Sequence, residues 1–260
     1  MFFADAWHVA SSPARMGWSD AAWTAGVIGT GLVIYANDQA IYDAFQRSRE
    51  NEVYRAARWL GDRWEPVGNM GNTNVYYVGA LAAGLATGWK PLERVPAEIL
   101  QSHWTAGGLR NIGELTAGRR RPFEHEGPRA FDPPNGTSLP SGHASVMFEL
   151  AAIAAHETRD TPFSIPVSAL GHFAAASLSM QRIDSGNHWP SDVYAGAVAG
   201  AVISRALLAR RDERYARERG EAAAGAGEPR GAAPELAPSV RAVPMFGRAQ
   251  GFGARVDVRF

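Results

Sequence analysis

The spacing of apolar and polar positions along most of this chain is that of one helix after another. Polar stretches marked by Gly, Pro and Asn separate them and predict loops at Gly61–Asn74 and Glu124–Pro140. We therefore expect an all-α fold, a helical bundle with one long surface loop. The predicted helices are Ala21–Tyr35, Gln39–Leu60, Val75–Thr87, Val95–Leu115, His143–His156, Ile165–Ser179 and Pro190–Arg217.

Three stretches carry no formal charge and raise the question of a membrane: Ala21–Asn37, Pro66–Trp89 and Thr161–Gln181. A spanning helix needs about 20 mostly apolar residues. The first stretch is short, the other two contain Asn, Pro or Ser, and the mean hydropathy of the chain is −0.21. Two interpretations stay open, buried core helices of a water-soluble bundle or genuine membrane spans. The first residues show no secretory signal pattern, so we expect none.

The composition changes beyond Arg217. Residues Glu218–Ala237 are rich in Ala, Gly, Pro and Glu, and such a segment buries too little apolar surface to offset the entropy of ordering. We predict a helical domain over residues 1–217, a disordered linker over 218–239 and a C-terminal segment over 240–260. In that segment, Val240–Phe246 and Ala254–Phe260 flank a glycine-rich loop, which predicts a β-hairpin.

Charge and cysteine content exclude several classes of function. The formal net charge of the 260 residues is zero, which gives no support to a nucleic-acid partner. The chain has no cysteine, and this excludes disulfides, thiolate metal sites and cysteine nucleophiles. The oligomeric state is left open.

The stretch from Arg182 to Asp192 is the strongest candidate for chemistry. Pro190 suits the first turn of a helix, and this places Asp192 one turn beyond His188. A carboxylate there can accept a hydrogen bond from one imidazole nitrogen and leave the other free as a nucleophile. Arg182 offers a planar fork to phosphate oxygens. The alternative is a plain helix start with a capping aspartate and a surface histidine.

A second cluster, Pro140-Ser141-Gly142-His143, comes just before an apolar predicted helix. Backbone N–H groups at a helix start favour an anion, and glycine permits its close approach. His143 would then lie beside the anion as a proton donor. The alternative is that Ser141 is an ordinary helix N-cap.

A third cluster consists of Arg119, Arg120 and Arg121, followed by Pro122. Three consecutive arginines usually form a solvated turn. Next to two clusters that suit a phosphate, we expect at least one of these arginines to bind phosphate oxygens.

Taken in order, the three clusters resemble the motif of the type 2 phosphatidic acid phosphatase and vanadium haloperoxidase superfamily. That motif runs lysine, six residues, Arg-Pro; then Pro-Ser-Gly-His; then Ser-Arg, five residues, histidine, three residues, aspartate. The match extends from Glu114 to Asp192, and the Pro-Ser-Gly-His part is complete. The resemblance implies a helical bundle of that superfamily's type.

The resemblance also implies roles for individual residues. His188 is similar to the nucleophile that forms a phosphohistidine, Asp192 to the residue that orients it, and His143 to the general acid. No metal is implied for hydrolysis, because arginines take the charge-stabilising role. The residues implied for the phosphate cradle are Arg121, Ser141, Gly142 and Arg182.

Two positions depart from the motif. Glu114 stands at the position of the motif lysine, and Gln181 at that of the serine before Arg182. Glutamate reverses a charge in what should be an anion site. Three interpretations stay open: Arg110, Arg119 or Arg120 replaces the lysine, Glu114 turns aside, or turnover is impaired.

These observations lead to one first hypothesis, a metal-independent phosphatase that needs no cofactor. Its substrate would be a phosphomonoester or diphosphate, either a small molecule or a lipid phosphate. We expect it in the bacterial cell envelope, periplasmic or membrane-associated. The alternatives are a haloperoxidase with vanadate as cofactor, and a catalytically weak phosphate-binding protein, which Glu114 suggests.

Overall fold

A computed structural model describes residue 11 and residues 17–225, 239–244 and 254–259. Helices dominate this part of the chain, as the sequence predicted. Two 3₁₀ turns, Ser48–Glu50 and Pro122–Glu124, lie between them. The α-helices are α1 (Trp18–Ala36), α2 (Asp38–Arg47), α3 (Glu52–Gly68), α4 (Met70–Thr87), α5 (Lys90–Thr116), α6 (Gly142–Glu157), α7 (Ser164–Asp184) and α8 (Pro190–Gly225).

Two elements predicted in the N-terminal half of the chain, one helix and one loop, differ from the structure. The helix expected over Gln39–Leu60 is divided, because the Asn51 side chain accepts from the first N–H groups of α3 and begins a new helix. The loop expected over Gly61–Asn74 is helical except at Asn69, which caps α4 in the same way. Pro66 lies inside α3 without ending it. Packing of α3 against α7 overrides the local preference for a turn.

Helix α6 lies at the centre of the bundle and packs against both α7 and α8. Around it, α3 packs on α7 and α4 packs on α5. One cluster of core residues joins α6 to α7 and includes Met147 and Leu178. Another joins α5, α6 and α8 through Ile99, Ile153 and Leu208. Burial of these apolar side chains holds the helices at fixed positions around α6.

The start of α6 and the start of α8 are in backbone contact. A Cβ atom on Gly196 would lie 2.2 Å from the carbonyl oxygen of Ser141, and one on Gly200 would lie 2.1 Å from that of Ser145. Only glycine permits such a distance. The four-residue spacing of these glycines is the small-residue pattern that lets two helix backbones approach closely.

Large apolar side chains are exposed on several helices. No described residue of α1 is buried, although the helix is strongly apolar. Exposed apolar surface of this extent marks sites of contact with membranes or proteins. The exposed large apolar residues include Trp18, Ile28, Leu32 and Val33 on α1, Val75, Tyr76 and Leu85 on α4, and Ile165, Leu170 and Phe173 on α7.

By length and composition, one helix of the described residues is suited to cross a membrane, Pro190–Arg217 within α8. In its most apolar window 44% of the residues are buried. A core helix of a soluble bundle has the same properties, so α8 alone does not separate the two interpretations. The exposed faces of α1, α4 and α7 favour membrane association.

The end of α8 differs from the predicted domain boundary. The helix continues to Gly225, so residues 218–225 of the predicted linker are helical, while residues 226–238 lie outside the described part of the chain. Strands β1 (Ser239–Pro244) and β2 (Ala254–Arg259) pair antiparallel, with Ser239 opposite Arg259. The sequence predicted a hairpin from Val240–Phe246 and Ala254–Phe260; β1 begins one residue before the first of these stretches, and β2 lies within the second.

A buried ion cluster connects three elements at one end of the bundle. Arg119, which is 1% exposed, donates to Asp38 at the start of α2 and to Asp192 in the first turn of α8. It also donates to the carbonyl oxygen of Pro128 in the long loop. Asp38 accepts two further bonds from the backbone N–H and hydroxyl of Ser191. Each buried charge is therefore paired and hydrogen-bonded, which is the condition for its burial.

Replacing Asp38 with alanine should destabilise the fold by about 3–5 kcal/mol, because it leaves Arg119 with a single buried carboxylate partner. Denaturant unfolding of the purified protein measures this loss. The matched control is Glu50→Ala, at an exposed carboxylate near the end of α2, which we expect to change stability by no more than about 0.5 kcal/mol. Equal effects of the two substitutions would contradict the role given to the cluster.

Candidate active site

A cavity of about 240 Å³ opens at the end of the bundle where α6 and α8 begin. Five of the seven residues singled out from the sequence lie on its wall, on four separate parts of the chain. The walls are formed by Gly68, Asn69, Met70, Gly71, Arg110, Arg121, Thr137, Gly142, His143, Arg182 and His188. The predicted site residues that do not line it are Ser141 and Asp192.

His188 lies in the turn between α7 and α8 and is 4% exposed. Its Nδ1 atom is 2.7 Å from the carbonyl oxygen of Ser138. Because a carbonyl only accepts, Nδ1 carries the proton and Nε2 keeps a free lone pair. Burial is the main cause that holds the pKa of His188 well below its usual value, and the nearby Arg121 adds to the effect. The ring is therefore neutral at pH 7, as a nitrogen nucleophile must be.

Asp192 does not contact the imidazole of His188, which corrects the expectation from the sequence. Its Oδ2 atom accepts from the hydroxyl of Ser138 at 2.5 Å and from the backbone N–H of Trp189 at 3.0 Å. Its Oδ1 atom accepts from Arg119 at 2.7 Å. Asp192 thus fixes Ser138, whose carbonyl fixes His188. The carboxylate orients the histidine through one intermediate residue.

Arg121 reaches the cavity from the segment that follows α5. Its Nε atom donates to the hydroxyl of Thr137, Nη2 donates to the carbonyl of the same residue, and Nη1 donates to Asn187. These bonds fix the plane of the guanidinium before any ligand binds. Such a pre-oriented fork suits the oxygens of a phosphate.

Arg182, near the end of α7, also lines the cavity. Its side chain is 9% exposed, and its Nε atom is buried without a hydrogen-bond partner. The nearest carboxylate, that of Glu65, is 3.5 Å from Nη1. A buried donor without a partner costs free energy, and an anion in the cavity would satisfy it.

Ser141 differs from its predicted role in the phosphate cradle. It is fully buried, and its hydroxyl accepts from the backbone N–H of Ala144 as the N-cap of α6. Its own N–H donates to the carbonyl of Asp192. Ser141 therefore fixes the start of α6, and it does not line the cavity. Gly142, the next residue, does line the cavity, as predicted.

His143 lies at the cavity wall in the first turn of α6. Burial, followed by the charge of Arg182, lowers its pKa to about 4, and the carboxylate of Glu65 opposes this shift. The distance from Nε2 of His143 to Oε1 of Glu65 is 3.4 Å, and Nε2 makes no hydrogen bond within the described residues. His143 is therefore neutral at pH 7.

Four residues of the site carry no sequence signal that would have identified them. Thr137 and Asn187 orient Arg121, Ser138 orients His188, and Glu65 lies between His143 and Arg182. The first three belong to loops without a periodic pattern. Glu65 belongs to α3, far from the motif in sequence. In the described part of the chain, no group of three or more His, Asp or Glu side chains is placed to hold a metal ion.

The fold and the cavity together define a helical-bundle protein with a cavity lined by histidines and arginines. Residues 99–216 match the family model of the PAP2 superfamily, in agreement with the resemblance of the sequence motif. The matching segment contains every cavity residue that the sequence motif identified.

Two known proteins are similar to the chain. A lipid A 1-phosphatase of Porphyromonas gingivalis is 31% identical over 99 residues, which are 37% of this chain and 19% of the relative. The match thus spans about a fifth of the length of that relative. The crystal structure of a transmembrane PAP2 type phosphatidylglycerolphosphate phosphatase from Bacillus subtilis matches with a TM-score of 0.54 and 18% identity. The matched region covers 72% of this chain and 95% of the Bacillus subtilis chain, which shows that the two share a fold.

The ring of His188 should remain the neutral Nδ1–H form well below pH 6.5, the ordinary histidine pKa. Nitrogen NMR of the histidine-labelled protein measures this, with His188→Gln to assign the signal. Because the folded pKa is lowered, the unfolded chain binds more protons below about pH 6.5, and the contribution of His188 to stability decreases as the pH falls. Titration near pH 6.5, or an Nε2–H signal, would contradict the geometry described here.

Proposed function

We propose that the protein is a metal-independent phosphatase that acts through a phosphohistidine at His188. Its substrates would be phosphomonoesters or diphosphates carried on a lipid. The observation that supports this most strongly is the shared cavity of His188, His143, Arg121 and Arg182. Two of these side chains keep a buried nitrogen without a partner, and both nitrogens suit the oxygens of a phosphate.

In the first step of the proposed reaction, Nε2 of His188 attacks the phosphorus atom. The N–P bond forms as the bond from phosphorus to the leaving oxygen breaks. Arg121 and Arg182 stabilise the charge that spreads over the remaining phosphoryl oxygens. The Ser138 carbonyl keeps its hydrogen bond from Nδ1–H and stabilises the positive charge that the ring acquires.

His143 supplies the proton for the leaving oxygen. Burial lowers its pKa to about 4. A bound phosphate places negative charge beside the ring and neutralises Arg182, and both changes favour the protonated imidazole. Substrate binding therefore prepares the general acid, and the proton then passes to the departing alcohol or phosphate.

In the second step, water attacks the phosphorus atom of the phosphohistidine. The neutral His143 left by the first step accepts a proton from that water, the N–P bond breaks, and His188 returns to its starting form with release of inorganic phosphate. The cycle uses no metal or other cofactor, because guanidinium groups take the charge-stabilising role throughout. Vanadate is a tetrahedral oxyanion of similar size and should compete for the same cavity.

A lipid substrate is supported by the surface of the bundle and by the names of its relatives. Exposed apolar side chains on α1, α4 and α7 suit contact with acyl chains. The two similar proteins are named for lipid A and for phosphatidylglycerolphosphate, both lipid phosphates. We therefore place the protein at a membrane of the cell envelope, with the cavity receiving the head group.

The purified protein in detergent should release phosphate from p-nitrophenyl phosphate and from phosphatidate with a chelator present. His188→Ala should reduce both rates to background, because the attacking nitrogen is lost. The same substitution should abolish labelling of the protein by ³²P-phosphatidate in a rapid quench at high pH. Phosphate release is measured colorimetrically over time.

The control for this experiment is His125→Asn, at an exposed loop histidine with a φ of 61°, a backbone conformation that asparagine tolerates. It should retain the native rate. Activity that disappears with the chelator would contradict the metal-independent mechanism. Phosphoenzyme that still forms in His188→Ala would contradict the assigned nucleophile.

His143→Ala should slow the release of poor leaving groups most. For a simple alkyl phosphate we expect a loss of about 10²–10⁴-fold, the usual contribution of a general acid. For p-nitrophenyl phosphate the loss should be much smaller, since its leaving group needs no proton. Comparison of kcat across a series of leaving groups measures the difference. Equal slowing across the series would contradict the acid role of His143.

A further inference from the structure

Arg110 lies on the cavity wall, although it belongs to no cluster of the sequence motif. It is in the last two turns of α5, one turn before Glu114. A Cβ atom on Gly142 would lie 3.2 Å from its Cδ atom and 3.4 Å from Nη1. The guanidinium therefore packs against the start of α6, where backbone N–H groups already favour an anion.

The other two arginines that might replace the motif lysine are held elsewhere. Arg119 is fully engaged by Asp38, Asp192, Ser191 and Pro128 in the buried cluster. Arg120 pairs with acidic residues of the long loop and its preceding turn, and neither arginine lines the cavity. Of the three candidates, Arg110 alone contacts the site.

Glu114 holds Arg110 in this position. Its Oε1 atom accepts from Nε at 2.8 Å and lies 2.8 Å from Nη2. These contacts use one edge of the guanidinium and leave Nη1, the nitrogen nearest Gly142, for a ligand. The carboxylate therefore does not enter the cavity as an unpaired negative charge. It fixes the orientation of a cation that faces the cavity.

Electrostatic effects on neighbouring groups agree with this position. After the larger effect of burial, the charge of Arg110 lowers the pKa of Arg121, and it also contributes to the lowered pKa of His143. Repulsion between like charges increases as the distance between them and the local dielectric constant decrease. An anion bound among Arg110, Arg121 and His143 would relieve this repulsion.

We propose that Arg110 is a third arginine of the phosphate cradle, in the place of the motif lysine, and that Glu114 is its positioning residue. The proposal rests on the proposed function and adds a binding residue to it. It removes the apparent charge reversal at position 114, because the motif lysine is replaced by an Arg–Glu pair one turn apart. The site then keeps the three cationic side chains that the motif requires.

The test compares Arg110→Gln, Arg110→Lys and Glu114→Gln with the native protein. Removing the cation should lower kcat/KM by about 10²–10³-fold, the usual effect of losing one oxyanion donor. Arg110→Lys should recover part of this loss. Glu114→Gln should raise KM more than it lowers kcat, and it should have no further effect in the Arg110→Gln background, since the two residues act together.

Direct binding of inorganic phosphate, measured by calorimetry in detergent, provides a readout that does not depend on turnover. Arg110→Gln should weaken phosphate binding by about tenfold or more, with an unchanged unfolding temperature. The matched control is Arg217→Gln, which removes an exposed arginine of a pair with Glu213 that has the same four-residue spacing on α8. It should leave both activity and binding unchanged.

The outcomes separate the two proposals. If His188→Ala is inactive but Arg110→Gln behaves like Arg217→Gln, the phosphatase stands and the role of Arg110 is refuted. If the native protein releases no phosphate, the proposed phosphatase activity is refuted. The binding of inorganic phosphate by Arg110→Gln, compared with Arg217→Gln, then tests whether Arg110 belongs to the phosphate cradle. An equal effect of Glu114→Gln in both backgrounds would show that Glu114 does not act through Arg110.

Discussion

The geometry of the cavity depends on one buried cation that never contacts it. Arg119 lies between Asp38 and Asp192 and connects α2, the long loop and α8. A guanidinium in the interior requires carboxylate partners in good geometry, so the three elements are held together wherever this cluster forms. Asp192, held in this way, accepts a hydrogen bond from the hydroxyl of Ser138 and fixes the position of that residue. The carbonyl of Ser138 in turn fixes the orientation of the His188 ring. Charge burial away from the site thus determines orientation within it.

Three adjacent arginines with identical chemistry have three different environments. Arg119 points into the buried cluster, Arg120 pairs with acidic side chains of the loop, and Arg121 faces the cavity. In extended backbone, neighbouring side chains point to opposite sides, which separates Arg120 from Arg119 and Arg121. Composition gives no means of assigning these roles. They follow from the partners that the loop and α2 bring to each position.

The sequence predicted the parts of the site that lie at helix ends. Gly142 and His143 begin α6, Arg182 is near the end of α7, and His188 precedes α8, so packing of three helices brings them together. The partner of Asp192 was not predictable, because it depends on the path of a loop without periodicity. Glu65 escaped detection for a different reason, because it is an ordinary polar residue of a helix and only tertiary packing places it against the motif. Arg110 was one of three candidates for the place of the motif lysine, and only tertiary packing distinguishes it from Arg119 and Arg120.

The close contact of α6 and α8 has a consequence for how this protein tolerates change. Because Gly196 and Gly200 bring main chain against main chain, the distance between the start of α6 and the start of α8 is set by backbone thickness. His143 follows one of these starts and His188 precedes the other. Apolar side chains elsewhere in the bundle can therefore vary in size over evolutionary time while the spacing of the two histidines is preserved.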